Sequence, residues 1–321
     1  PAGRSRAAGG VLVLDWGYGW RHSLNQSREF GPDGIVWHDH EGKKTVLPSL
    51  DEVPAGTNTE AGVMAWKEGD EYVACAGAKA PRYHFARDGQ KGRLTRISDR
   101  YGNRLKVSYD LQGQLFRVTN AGGQALAFGW SEGRLVSVSF LRRTLTDDGD
   151  RWDKLRTERT YQYDDNTDLI VAEDAEEGKE HYRYDNHMLV QRQLAGGYSF
   201  YLEWDDLAPS GRCIRQWGDS AQVDTRFEWD DENHSCTARY VDGSEEHWFY
   251  DGAAKLQEKI DPDGAKHLSE YDENGRLVAT TDPLGARTEY TYNRAGQLQQ
   301  KVGPDGQPVL FTYQDGRIAE I

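Results

Sequence analysis

Along most of this chain, aromatic and aliphatic residues alternate with polar ones at a period of two, the pattern of a strand with one face drier than the other. In Thr288 to Tyr292, Tyr290 and Tyr292 share one face while Glu289 and Thr291 share the other. The same parity pairs Tyr182 with Tyr184, Phe227 with Trp229, Trp248 with Tyr250, and Phe311 with Tyr313. No segment sustains a 3.6-residue period, so the pattern predicts an all-β protein. The longest apolar runs, such as Val11 to Leu14, are a few residues long. They fall far short of the ~20 residues a membrane-spanning helix needs.

The pattern is also repetitive. An aromatic followed by a polar residue recurs at Tyr271-Asp272, Tyr292-Asn293 and Tyr313-Gln314, at a constant spacing. Tyr250 and Trp229 keep that spacing upstream, and so do Tyr163 and Tyr184. The step from Tyr184 to Trp204 is one position shorter, and the step from Trp204 to Trp229 is four positions longer. The register continues through Trp130 to Tyr109, with one period and a further stretch of chain between Trp130 and Tyr163. Tyr109, Trp130, Tyr163, Tyr184, Trp204, Trp229, Tyr250, Tyr271, Tyr292 and Tyr313 thus form one series of structural anchors. The excess between Trp130 and Tyr163 reads as an exposed polar loop inserted near 142–153.

Two turns punctuate each unit. Asn274-Gly275 offers two positive-φ residues for a tight hairpin turn, and Pro283 with Gly285 sets up a second turn. Asp261-Pro262-Asp263-Gly264 and Gly303-Pro304-Asp305-Gly306 repeat that second turn. A unit is therefore a β-hairpin, and ten of them make roughly twenty strands. Open twisted sheets rarely exceed ~10 strands without curling, and so wide a curled sheet leaves an interior that side chains cannot fill. The fold expected is all-β, with hairpins stacked into a large curled sheet forming part of a hollow shell. Residues 1–95 form a lead-in β region and 96–321 the repeat sheet. In-register stacking would align the anchor rings in a buried column, leaving Arg183, Glu203, Glu228, Glu270 and Thr312 on a wet face.

Composition narrows the function. The chain has 321 residues with 10 Trp, 17 Tyr and 9 Phe, an aromatic content that excludes disorder. Its net charge of -14 repels phosphate backbones and anionic lipid surfaces, so nucleic acid is not an expected partner. Cys75, Cys213 and Cys236 are too few and scattered for a disulfide framework or a CxxC metal site. The chain opens on Pro1 without an initiator Met or an apolar leader core, as an internal fragment would.

Candidate chemistry is sparse. His38-Asp39-His40 could set two imidazoles on one strand face, but a third ligand at metal spacing is missing. His22 and Ser23 are adjacent, so on a strand they point to opposite faces. Asp164, Asn166 and Asp168 imitate half of a calcium loop, with Leu169 where glycine is required and Ala175 where the bidentate Glu should be. Asp205-Asp206 and Asp230-Asp231-Glu232 fall at repeat turns, where Asp caps its own backbone. Cys213 takes the place of a repeat leucine and reads as a small buried apolar residue. No phosphate loop, G-x-S-x-G or H-E-x-x-H occurs. The expectation is a chain that is not an enzyme, with no catalytic residues, no cofactor and no metal.

Tyr271-Asp272-Glu273-Asn274-Gly275-Arg276-Leu277, with a variant at Tyr109-Asp110, Gly113 and Leu115, resembles the YD repeat of the Rhs (rearrangement hot spot) proteins. Gly17-Tyr18-Gly19-Trp20-Arg21-His22-Ser23 and the hairpin-like Gly34 to Val46 are similar to the lead-in that precedes the repeats in Rhs-type polymorphic toxins. The resemblance implies a β-spiral shell around a C-terminal toxin domain. Such a protein is made in the bacterial cytoplasm and exported to a target cell or the extracellular space, through type VI secretion or a related route, in interbacterial competition. Its partners would be the rest of the shell, the enclosed toxin, and secretion-spike or chaperone proteins, with no membrane insertion by this segment. Similar shells occur in insecticidal toxin complexes and teneurins. Asp282-Pro283-Leu284-Gly285 is similar to the family's toxin-release motif but precedes Ala286 and reads as an ordinary turn. A second function class is a binding module whose Trp and Tyr strips grip glycans or a receptor; a buried aromatic ladder favours the shell and an exposed one the binding module.

Overall fold

The computed structural model describes residues 13–14, 17–18, 20–31, 34–51, 55–58, 61–77, 80–293, 296–314 and 317–320. Among them there is no helix. β1 (Val13–Leu14) and β2 (Gly17–Tyr18) pair with each other. The lead-in continues with β3 (Ser27–Gly31), β4 (Gly34–His38), β5 (Lys44–Leu47), β6 (Ala55–Asn58), β7 (Val63–Glu68), β8 (Glu71–Ala76), β9 (Arg82–Asp88) and β10 (Lys91–Ser98). β11 (Arg104–Tyr109) begins a succession of strands, each antiparallel to the next, that reaches Pro308–Leu310. The 27 strands from β3 to Pro308–Leu310 belong to one sheet.

β10 is the fork that joins lead-in to repeats. One edge runs along β9, with a register shift between Leu94 and Arg96. On the other edge Lys91–Arg93 pair with Ser27–Glu29 of β3, while Arg96–Ser98 pair with Arg104–Lys106 of β11. A bulge bends a strand and raises its twist, which lets one strand serve two neighbours. The lead-in therefore returns on itself as a ring from β3 to β10, with Asn58 of β6 donating its amide to the Val46 carbonyl of β5 at 3.0 Å. The repeat sheet does not return. Among the described residues Pro308–Leu310 pairs only with Leu298–Val302.

Packing differs between the two parts. The ring encloses Phe30, Ile35, Trp37, Leu47, Phe85 and Leu94, all buried in one cluster. Each such side chain contributes ~1.5–3 kcal/mol by leaving water. The repeat sheet is a single layer. Beyond Val138 the described buried apolar side chains are only Leu169, Ala172, Tyr182, Met188, Cys236, Ala238 and Ala279. The alternation expected from sequence is present, but it separates half-buried from exposed rather than dry from wet. Tyr271, Tyr290 and Tyr292 are half-buried, Trp229 is 37% exposed, and Glu270, Glu289 and Thr291 are exposed. The buried column of rings is therefore corrected to a half-buried one, because no second layer of described residues covers it.

The insertion near 142–153 is not a loop. Arg134–Thr146 and Gly149–Tyr163 form one long hairpin, paired from Ser137↔Thr160 out to Thr146↔Gly149. Thr144 donates to Asp153 at 2.8 Å across it and Arg143 meets Asp150 at 3.3 Å, so its polar side chains pair across the ladder. The uneven anchor spacings also find their reason in turn length. Asn186 and His187, at φ 45° and 61°, make a two-residue turn that shortens the unit between Tyr184 and Trp204 by one position. In the longer unit between Trp204 and Trp229, the Asp205 N–H reaches over a wider turn to the Arg212 carbonyl.

Candidate functional site: the repeat pin and the lead-in latch

Many of the turns are built by an aspartate. In Tyr271–Leu277 the Asp272 N–H donates to the Arg276 carbonyl at 2.9 Å and the Gly275 N–H donates to the Asp272 carbonyl at 2.8 Å. Asp272 Oδ1 accepts from the N–H groups of Asn274 and Arg276 at 3.0 and 2.9 Å. Gly275 sits at φ 73° while Asn274 does not have positive φ. The turn is thus a three-residue loop with one left-handed position, not the two-positive-φ turn that Asn-Gly suggested. Asp110, Asp164 and Asp251 make the same paired acceptances at their turns. So does Asp282 at the opposite end of the hairpin, where Asp282-Pro283-Leu284-Gly285 is such a turn. Asp164, considered as a calcium ligand, and Asp39, between the two candidate imidazoles, both spend Oδ1 on nearby backbone N–H groups.

The anchor ring and the two residues after the turn form a pin between hairpins. The Tyr271 hydroxyl donates to the Leu256 carbonyl at 3.1 Å, Tyr292 to Leu277 at 2.6 Å, and Tyr313 to Leu298 at 2.8 Å, each 15 residues back. Tryptophan does the same through Nε1: Trp130 to Leu115 and Trp204 to Leu189 at 2.8 Å, and Trp229 to Cys213 at 3.0 Å. Tyr163 reaches the Leu135 carbonyl at 2.8 Å, 28 residues back across the long hairpin. Both residue types bring a ring with a donor at its far end, so they interchange at the anchor. Cys213 occupies the leucine position as expected, though half-buried rather than buried, its thiol donating to the Arg215 carbonyl at 3.3 Å, and its carbonyl receives the pin.

A cation covers the ring. Arg276 lies 5.1 Å from the Tyr292 centroid, Lys255 5.3 Å from Tyr271, Arg212 5.4 Å from Trp229, and Arg93 4.8 Å from Tyr109. Such contacts contribute ~0.5–1 kcal/mol at exposed sites. Arg276 is itself held by Asp272 Oδ2 at 2.7 Å. Burial works against the Asp272 charge, yet the hydrogen bonds from Arg276 and from the turn hold its carboxyl below the ordinary range. The Arg-Leu pair of one unit therefore serves the next unit's ring, Arg over its face and the Leu carbonyl at its tip. Tyr250 pairs with Leu256 across a register shift like those at most anchors. On the opposite face Arg287 bridges Glu270 and Glu289, the two cross-strand neighbours of the fully buried Ala279.

One unit inverts this charge. Asp168 stands where Arg276 stands in its own repeat, 3% exposed, and its Oδ2 meets His187 Nδ1 at 2.9 Å. Burial pushes the Asp168 carboxyl up, against the pull of His187. Here Trp20 of the lead-in contacts the anchor: its Nε1 donates to the Tyr184 hydroxyl at 2.7 Å and its ring meets Tyr182 edge-on at 5.0 Å. Burial pushes the Tyr182 and Tyr184 hydroxyls upward. Leu169, Ala172, Tyr161, Tyr163 and Leu189 complete the cluster.

Sequence reasoning missed one polar centre altogether. His84, 2% exposed, meets Ser98 Oγ at 2.8 Å through Nε2 and Arg96 Nη2 at 2.9 Å through Nδ1, with Glu71 and Glu68 each 3.5 Å from Nδ1. Arg96 can only donate, so Nδ1 accepts and Nε2 carries the proton toward Ser98. A serine nucleophile needs the reverse tautomer. Burial, then Arg96, pushes the His84 pKa down. His22 Nδ1 accepts from the Leu24 N–H at 3.2 Å, and His38 Nε2 lies 3.3 Å from Glu29. Among the described residues no three His, Cys, Asp or Glu side chains converge as a metal site.

The comparisons agree with this repeat chemistry. The RHS Repeat family model matches residues 271–308. The chain is 25% identical over 266 residues to double-stranded DNA deaminase toxin A of Burkholderia cenocepacia (strain H111), covering 77% of this chain and 17% of the relative. It is 31% identical over 134 residues to toxin protein Tse5 of Pseudomonas aeruginosa, covering 40% of this chain and 10% of the relative. It thus spans less than a fifth of either relative's length. Among solved structures, TcdB2-TccC3 without its hypervariable C-terminal region is similar over 91% of this chain and 21% of that one, at 11% identity and TM-score 0.36. The family model thus identifies an RHS repeat at 271–308, and the same turn and pin chemistry recurs along the rest of the sheet.

Proposed function

We propose that this chain is a wall segment of an Rhs-type shell that encloses a toxin domain carried on the same polypeptide and helps deliver it to a competing bacterium. One observation carries the reading: along most of the sheet an anchor ring pins its hairpin to the preceding one by a ring-to-backbone hydrogen bond, in several units under a cation, and among the described residues the sheet extends with little of a second packed layer. A wall needs that property, since both faces must stay free. Export through type VI secretion or a related route, partnership with spike or chaperone proteins, and the absence of any catalytic or cofactor role for this segment belong to the same proposal.

The competing reading, a glycan- or receptor-binding strip, needs open aromatic faces. Trp229 is the most exposed of the anchor rings, and Arg212 lies over it. The test is protease protection in the full polypeptide. If the shell reading holds, a C-terminal domain resists cleavage while this segment is intact and becomes sensitive when Tyr271→Ala and Trp229→Ala together loosen the wall. A C-terminal domain equally sensitive in both proteins sinks it, and cell-surface binding lost in Trp229→Ala would favour the binding strip.

A further inference from the structure

Arg28 lies within the lead-in ring, one residue from exposed Ser27 and Glu29 and on the same side of β3 as Phe30. Its side chain is 0% exposed, and Nε, Nη1 and Nη2 are all without a hydrogen-bond partner. What it touches is aromatic: its guanidinium carbon is 4.7 Å from the Phe85 centroid. Trp37, its cross-strand neighbour on β4, is 4% exposed, and its Nε1 is also buried and unpartnered. On the other edge the neighbour is Gly92, where a Cβ would meet Arg28 Cβ at 3.1 Å and Phe30 Cε2 at 3.0 Å. Glycine there leaves the guanidinium stem and the Phe30 ring their places.

No carboxylate answers this charge among the described residues. Glu29 points the other way along the alternation, toward His38, and Glu71 is taken by Arg96 and Thr95. A guanidinium stays protonated and offers five N–H donors in a planar fork that matches a carboxylate, while a buried charge without a counter-ion is strongly unfavourable. Burial pushes the Arg28 pKa down to about 9, which expresses the same cost. The indole N–H of Trp37, the cross-strand neighbour, is one more buried donor and brings no acceptor.

We propose that Arg28 and the Trp37 N–H form a receptor for a carboxylate, supplied by a small free acid or by an acidic residue of another polypeptide. The site is independent of the shell reading, since it lies in the lead-in ring and not in the repeats. The test follows thermal unfolding of the whole chain in sodium acetate against sodium chloride at equal ionic strength. A second arm adds a short acetylated peptide amide bearing one Glu, against its Gln twin. A ligand that binds only the folded state raises Tm, by at least about 2 °C for each tenfold excess over its dissociation constant in a chain of this size. Acetate should raise Tm in the wild type, Arg28→Met should abolish the difference, and Trp37→Phe, which keeps the ring and removes the N–H, should reduce it. A response to the Glu peptide but not to acetate assigns the carboxylate to a polypeptide. If neither probe acts, or if Arg28→Met responds like the wild type, the proposal is overturned. Should Arg28→Met fail to fold, Arg28→Lys, which retains the charge without the fork, must lose most of the response.

Discussion

The indole N–H of Trp20 donates to the phenol oxygen of Tyr184 at 2.7 Å, joining two residues 164 positions apart. Through it the lead-in reaches a repeat far along the chain from the β10 fork. The contact falls where Asp168 has replaced the usual cation. Trp20→Phe should lower stability by about 1 kcal/mol through the lost hydrogen bond, and Trp20→Ala by about 2–3 kcal/mol through the lost ring contact with Tyr182 as well. Urea melts of the two variants measure the split, and equal losses would show that the hydrogen bond contributes nothing.

The anchor pin makes a similar separation possible within a repeat. Tyr271→Phe removes only the donor to the Leu256 carbonyl and should lower stability by about 0.5–1.5 kcal/mol. Trp229→Ala should be milder than a core truncation, at about 1–2 kcal/mol, because the ring is 37% exposed. Thr291→Ala, on the exposed face, should stay within ~0.5 kcal/mol. Losses of equal size on the two faces in chemical denaturation would dissolve the distinction between them.

Turn aspartates act through their acceptor oxygen more than through their charge. Asn293 already stands at one anchor turn, and its Oδ1 accepts from the Gln297 N–H at 3.0 Å. Asp272→Asn should therefore be nearly neutral at the turn while weakening the hold on Arg276, and Asp272→Ala should cost about 1–2 kcal/mol. Gly275→Ala, at φ 73°, should cost about 1–2 kcal/mol. Melting temperatures of the three variants provide the ranking, and Asp272→Asn as damaging as Asp272→Ala would place the effect in the charge.

His84 predicts a pH response. Its folded pKa is depressed by burial and then by Arg96, so the folded state prefers the neutral ring. That preference is fully present above the unfolded value of ~6.5 and is lost as pH falls toward and through the folded pKa. Stability should decline between pH 7 and 5 in the wild type, and His84→Gln should flatten that decline. An unchanged slope in the variant would assign the titration elsewhere.

Turn positions, strand alternation and the ten-anchor series were legible in the sequence because each is local. An aspartate meets N–H groups two and four residues on, and side chains alternate whatever lies beyond. Even the uneven spacings on either side of Trp204 were visible, although their cause, a shorter and a longer turn, was not. The Arg-Leu pair was legible as a motif but not as the pin for the following unit's ring, since that partner becomes a neighbour only when hairpins stack. Polar composition near 142–153 suggested a loop, yet cross-strand pairing extended the hairpin through it. Tertiary structure alone decided the fork in β10, the reach of Trp20 to Tyr184, and the enclosure of Arg28 and His84. Each depends on a ring closing between strands as distant in the chain as β3 and β10, or on a lead-in residue crossing to a remote repeat, and no local pattern encodes which distant edge a strand will meet.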